Sequence, residues 1–213
     1  VLVDKKYAEW GKKSGTIRPL EYAILNKLCT DVSNNATTVE MADEMYDCLK
    51  EAFPLGHPLH ADDNPDLAAI DRNQVQAFIR GTNRDLQVIE IKLDAKNVIL
   101  IFAGTKEGQF GDIVQDAGIA LDSTPGVKYI SGAMNAVQDL FNQNQIEAGN
   151  QLANELSHFG YNTYLTGYSL GGHIAVDVAL HCQELTECVA IDPPGRGDTI
   201  ITGSSQNKDK ITN

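Results

Sequence analysis

Ser169 stands between glycines in Gly167-Tyr168-Ser169-Leu170-Gly171, and Gly172 follows at once. A serine in that setting is a candidate nucleophile, able to attack an acyl carbon and hold the acyl group covalently. The chemistry needs a turn tight enough to lift one side chain clear of its surroundings. Such a turn strains its central residue and brings the flanking chains so close that a Cβ would clash, and glycine on either side relieves the crowding. An oxyanion donor is needed as well. The next backbone N–H, on Leu170, opens a helix and points at an oxyanion formed on a carbon that Ser169 attacks.

The pentapeptide alone is common; its setting is more specific. "NTYLT" (162 to 166) reads as a strand leading into it, and 170 to 182 is an alanine- and valine-rich helix pattern. Farther upstream, "QVQAFIR" (74 to 80) and "DLQVIEIKL" (85 to 93) alternate β-branched residues around a turn at Gly81-Thr82-Asn83. "VILIFAG" (98 to 104) is continuously apolar, as a strand covered on both faces must be. A helix pattern covers about 130 to 158, and "CVAIDPP" (188 to 194) reads as a further strand. Antiparallel strands followed by strand–helix–strand alternation predict a mixed, mostly parallel α/β sheet with helices on both faces.

The first third is helical in pattern. Residues 18 to 32 carry apolar side chains at helical spacing, and 37 to 53 open with Thr37 and Glu40 at capping-box spacing. "PLGHPLHADDNPD" (54 to 66) reads as a loop. The expected organisation is an N-terminal helical extension over 1–72 and an α/β core over 73–213.

"VILIFAGTKEGQFGDIVQDAGIAL", "KYISGAMNAVQDL", "LTGYSLGGHIAVDVA" and "CVAIDPPGRGD" together resemble the class 3, fungal-type lipases of the α/β-hydrolase fold, with their bacterial phospholipase relatives. The resemblance covers about residues 74 to 200, and its specific parts are the serine turn and the Gly104-Thr105 loop. It implies Ser169 as nucleophile, with Thr105 and Leu170 as oxyanion donors. Asp112 and Asp116 match the spacing of a family acid pair. Two positions depart from the pattern. Ala103 stands where the family has Arg, and Phe110-Gly111 where an aromatic–acid pair is usual, which implies a different loop packing. A short Gly-Thr turn at a strand end can also aim N–H groups into the space beside the serine, the alternative being a Thr hydroxyl that caps the turn.

A serine nucleophile needs a histidine base and an acid to orient it, in this fold in the order Ser, acid, His. After Ser169 come only His173 and His181. His173 lies one turn along the same helix and is expected to pack under the turn or bond the backbone. His181 is too far along to reach the serine. His158 ends the preceding helix, where a polar or positive group suits the C-terminus. His57 and His60 sit in the proline-rich loop and could serve only through an unusual topology. Asp192 is a candidate acid, because some α/β-hydrolases place theirs one strand early, but an aspartate before Pro193-Pro194 also reads as a turn residue. The final "KDKITN" looks like the start of a strand beyond which the family's acid and histidine would follow, so the chain reads as cut before them.

Formal charge is −12, from 17 basic and 29 acidic side chains. That balance argues against nucleic acid as the main partner and against a purely electrostatic hold on anionic lipid. No apolar run approaches a membrane span, which leaves transient surface contact as the expected relation to lipid. The chain opens with Val1 rather than Met, so the lack of a leader pattern excludes nothing. The four cysteines allow two disulfides or four thiols, and none has zinc-ligand spacing with a partner pair. No metal or organic cofactor is expected. The implied activity is hydrolysis of a lipid carboxylic ester through an acyl-enzyme on Ser169. The alternatives are an enzyme for thioesters or short-chain esters, and a catalytically inactive lipid- or protein-binding module on the same fold.

Overall fold

The computed structural model describes residues 17, 19–34, 37–53, 67–80, 86–104, 145–182, 185–191 and 206–212. Two helices come first, α1 (Pro19–Val32) and α2 (Thr38–Ala52). Strands β1 (Val75–Arg80), β2 (Leu86–Lys92) and β3 (Asn97–Phe102) follow. Helix α3 is described over 145–158. It leads to β4 (Asn162–Tyr168), α4 (Leu170–His181), β5 (Leu185–Ile191) and the short β6 (Ile211–Thr212). The strands form one six-stranded sheet in the order β1-β2-β3-β4-β5-β6. The first two pairings are antiparallel and the last three parallel, so the expected mixed, mostly parallel α/β sheet is present. Among the described residues no helix is long and apolar enough to cross a membrane.

Strand parity divides the core in two. Ile99 and Ile101 of β3, with Ile89 and Ile91 of β2, face one side and pack with Tyr22, Leu25 and Cys29 of α1 and Met41, Met45 and Leu49 of α2. Val98, Leu100 and Phe102 face the other side and pack with Leu152 and Leu156 of α3 and Ile174 and Val178 of α4. β3 is continuously apolar because both its faces are covered. Burying each such aliphatic side chain contributes about 1.5–3 kcal/mol. The helices expected as an extension over 1–72 therefore supply the layer that covers one face of the sheet.

Local chemistry starts and stops these elements. At the α2 N-terminus the Glu40 N–H donates to Thr37 Oγ1 (3.2 Å), and the Thr37 N–H donates to Glu40 Oε2 (3.1 Å). That reciprocal box satisfies two amides the helix leaves unpaired. At the other end of the chain, buried Asn207 donates through Nδ2 to the Ala179 and Cys182 carbonyls (2.9 and 2.7 Å) and so closes the end of α4. The four cysteines are free thiols. Burial pushes the Cys29 thiol up to about 12 and that of Cys188 higher still, which leaves both unreactive near neutrality.

One buried charge is out of keeping with its surroundings. The Glu90 side chain is 3% exposed and lies 3.6 Å from Lys92 Nζ. Burial raises its pKa above the ordinary 4.5, and Lys92 opposes the shift without cancelling it. A carboxyl whose folded pKa is raised contributes stability below the unfolded value, and loses it as pH climbs through the folded one. Glu90→Gln is therefore expected to exceed the parent chain in urea stability at pH 7. The margin should shrink as pH falls toward 4, and a margin that grew on acidification would contradict the burial argument.

Candidate functional site

β3, β4 and β5 run parallel and end together, with Phe102 paired to Gly167 and Tyr168 paired to Ile191. Ser169 lies where β4 stops and α4 begins, at the common carboxyl edge of these strands. Its backbone angles are φ 52° and ψ −125°, and among the described residues it is the one non-glycine residue with positive φ. Holding an L-residue there costs on the order of 1–3 kcal/mol, so surrounding contacts have to enforce it.

Those contacts can be named. The Ser169 N–H donates to the Ile191 carbonyl (3.0 Å), which ties the turn to β5. The Ser169 carbonyl accepts the His173 N–H (3.1 Å), the first hydrogen bond of α4. A Cβ on Gly167 would lie 2.1 Å from the Gly171 carbonyl oxygen, and one on Gly171 would lie 2.1 Å from that of Phe102. Neither position has room for any side chain. The serine turn is thus wedged between the end of β3 and the first turn of α4 by bare backbone. Gly104 touches it too: a Cβ there would lie 2.8 Å from the Tyr168 carbonyl oxygen and 3.8 Å from Ser169 Cβ.

Leu170 is the first residue of α4 and stands next to Ser169. Its amide is among those a helix leaves without an internal partner, and the N-terminal end carries partial positive charge. Thr105 and Asp192 lie outside the described residues, as do Asp112, Asp116, His57 and His60. The immediate chain neighbours of Thr105 and Asp192, Gly104 and Ile191, are the two residues just described against the turn.

The described histidines are occupied elsewhere. His173 is buried, and its Nε2 lies 3.2 Å from Asp177 Oδ2, one helical turn farther along α4. His181 Nδ1 is 2.7 Å from the Asp177 carbonyl oxygen. His158 ends α3 beside Phe159, just ahead of the start of β4. β4 spans seven residues, about 23 Å at strand rise, and separates that end from the serine. Among the described residues no side chain hydrogen-bonds the Ser169 hydroxyl.

Sequence reading passed over two features that flank this turn. Asn26 of α1 donates through Nδ2 to the Tyr22 carbonyl (2.8 Å) and to Thr166 Oγ1 (2.7 Å), and Thr166 Oγ1 donates to the Val189 carbonyl (2.6 Å). This buried polar chain fastens α1 to β4 and β5 three residues before the serine. Helical periodicity marks Asn26 as lying among core positions, a signal that a buried partner was waiting for it. The second feature is the pairing of His173 with Asp177, legible from their i, i+4 spacing.

No family model, curated protein or solved structure matches this chain. The geometry therefore stands by itself, and its strain is measurable. Ser169→Gly accepts positive φ without the Cβ clash but loosens the unfolded chain by about 0.5–1 kcal/mol. A net gain on the order of 1 kcal/mol in urea unfolding is expected, with no gain for Ser169→Ala, which keeps its Cβ. Equal stability of the two variants would show that the turn is unstrained.

Proposed function

We propose that this protein is a serine hydrolase that cleaves a carboxylic ester of a lipid through an acyl-enzyme on Ser169. The observation that carries the reading is the strained serine itself. A non-glycine residue at φ 52° is costly, and it sits where a tight strand-to-helix turn exposes one hydroxyl at the carboxyl edge of parallel strands. The lipid ester, and the assignment to the α/β-hydrolase fold, come from the resemblance to class 3 lipases.

In this reading Ser169 Oγ adds to the acyl carbon while its proton passes to a base. The carbonyl oxygen becomes an oxyanion, held by the Leu170 N–H and, through the resemblance, by Thr105. The alcohol then departs with a proton, and water releases the acid by the reverse sequence. His158, His173 and His181 have the other engagements described above. Asp192 is the candidate acid taken from the sequence.

Fluorophosphonate labelling of the full chain, read by intact mass, tests the nucleophile, because such a probe modifies only an activated serine. One adduct per chain, absent in Ser169→Ala, is the expected result. A folded chain that takes no adduct would mean that these 213 residues do not by themselves activate Ser169. Where labelling occurs, its loss in His57→Ala or His60→Ala identifies the base, and nitrophenyl esters of increasing chain length separate a lipase from a short-chain esterase.

A further inference from the structure

Among the described residues β1 ends the sheet and pairs with β2 alone. An edge strand leaves half of its backbone groups without a ladder partner, and proteins ordinarily blunt such edges. The next pairing shows which groups point outward. Gln87 and Leu93 turn their backbone toward β3: the Gln87 carbonyl accepts the Ala103 N–H (3.0 Å), and the Leu93 N–H donates to the Asn97 carbonyl (2.9 Å). Alternation then turns Leu86, Val88 and Glu90 toward β1, against Arg80, Phe78 and Gln76. Val75, Ala77 and Ile79 therefore aim their N–H and C=O groups out of the sheet. Those of Val75 are taken, its N–H donating to the Arg72 carbonyl and its carbonyl accepting Arg72 Nη1 (2.8 Å). Those of Ala77 and Ile79 meet no partner among the described residues.

The surfaces flanking this edge are not those of an ordinary solvated rim. On the α3 side Phe78 is half-buried, and the Arg80 guanidinium lies 5.2 Å from its ring. On the other side α2 packs with β1, and Arg72 binds Asp43 of that helix as well as the Val75 carbonyl. Asp43 thus marks the flank of α2 that faces the open edge. Val39, Tyr46 and Lys50 stand with it in one i, i+3, i+4 row. Val39 is 64% exposed, and Lys50 Nζ lies 5.2 Å from the Tyr46 ring. Other acids of α2 are turned away. Burial first, and then the carboxylates of Glu44, Glu51, Asp31 and Asp47, raise the Cys48 thiol, so these acids gather on the flank nearest α1. A chain of net charge −12 therefore meets its open edge with Arg72, Arg80 and Lys50 against Asp43. At this surface two such chains can approach without setting acid against acid.

We propose that the occupant of this edge is a second copy of the chain, its β1 paired antiparallel with the first about a two-fold axis through Phe78. The open groups choose the register. With Phe78 opposite Phe78, Ala77 of each copy faces Ile79 of the other, and each such pair exchanges both backbone hydrogen bonds. An axis through Ala77 would instead set Ile79 against Val75, whose groups Arg72 already holds. The chosen register also puts Arg80 opposite Gln76 of the second copy, in one row with that copy's Glu90. Glu90 is buried with Lys92 Nζ 3.6 Å away, and an arginine leaning across Gln76 adds a further cation. The interface is self-complementary, as a two-fold contact must be, and it joins two six-stranded sheets into one. It needs nothing from Ser169.

Sedimentation velocity of the full chain, from about micromolar to about millimolar concentration, reads the association directly, and a reversible monomer–dimer equilibrium is expected. Ala77→Pro removes an outward N–H and no bond to β2. It should weaken the dimer about tenfold or more with the far-UV circular dichroism of the monomer unchanged. Gln76→Arg gives Glu90 a cation within its own chain but sets like charges across the interface, and should weaken the dimer about fivefold. Adding Arg80→Glu makes the cross-interface charges opposite and should recover the parent affinity. That rescue reports the register whether or not Ala77→Pro folds. A chain that stays monomeric throughout overturns the proposal. So does a dimer indifferent to the charge exchange, because its interface lies elsewhere. Hydrogen-exchange protection of the Ala77 and Ile79 amides by an added extended acidic peptide, in a chain that remains monomeric, would assign the edge to a foreign strand instead.

Discussion

Backbone contact between the end of β3 and the turn that follows β4 is the constraint on which the site depends. Gly167 and Gly171 approach each other and Phe102 so closely that a single methyl group at either would collide with a carbonyl oxygen. At that closeness Ser169 takes a positive-φ conformation. A strained residue persists only where its surroundings over-determine it. Here the determination comes from three directions: β3 through Gly171, β5 through the Ile191 carbonyl, and α4 through its first hydrogen bond.

The two-sided core gives that constraint its rigidity. β3 and β4 are buried along nearly their whole length, so their ends cannot shift without disturbing both hydrophobic clusters at once. The faces are not equivalent. On one, α4 grows directly out of the serine turn and packs under it. On the other, α1 is fastened beside the turn by the chain from Asn26 through Thr166 to Val189. That fastening keeps α1 in position beside the ends of β4 and β5.

Much of the fold was legible in the sequence, because its signals are local. The unbroken apolar run at 98–102 announced a strand covered on both faces, and the Thr37–Glu40 spacing announced the start of α2, box and all. The final residues read as the start of a strand, and Ile211–Thr212 does pair with β5. The relation of the first two helices to the sheet was not legible. Amphipathic periodicity says that a helix has an apolar face, and nothing in it says which surface that face meets.

By itself the sequence determined the elements, their order and the one serine set between glycines, since propensity, periodicity and small-residue spacing act over a few neighbouring positions. Tertiary structure alone decided that Ser169 is strained and that α1 borders the serine turn. Each of these depends on residues dozens of positions apart reaching the same edge of one sheet. Such distances are settled by packing, where volume, backbone approach and buried hydrogen bonds have to be satisfied together.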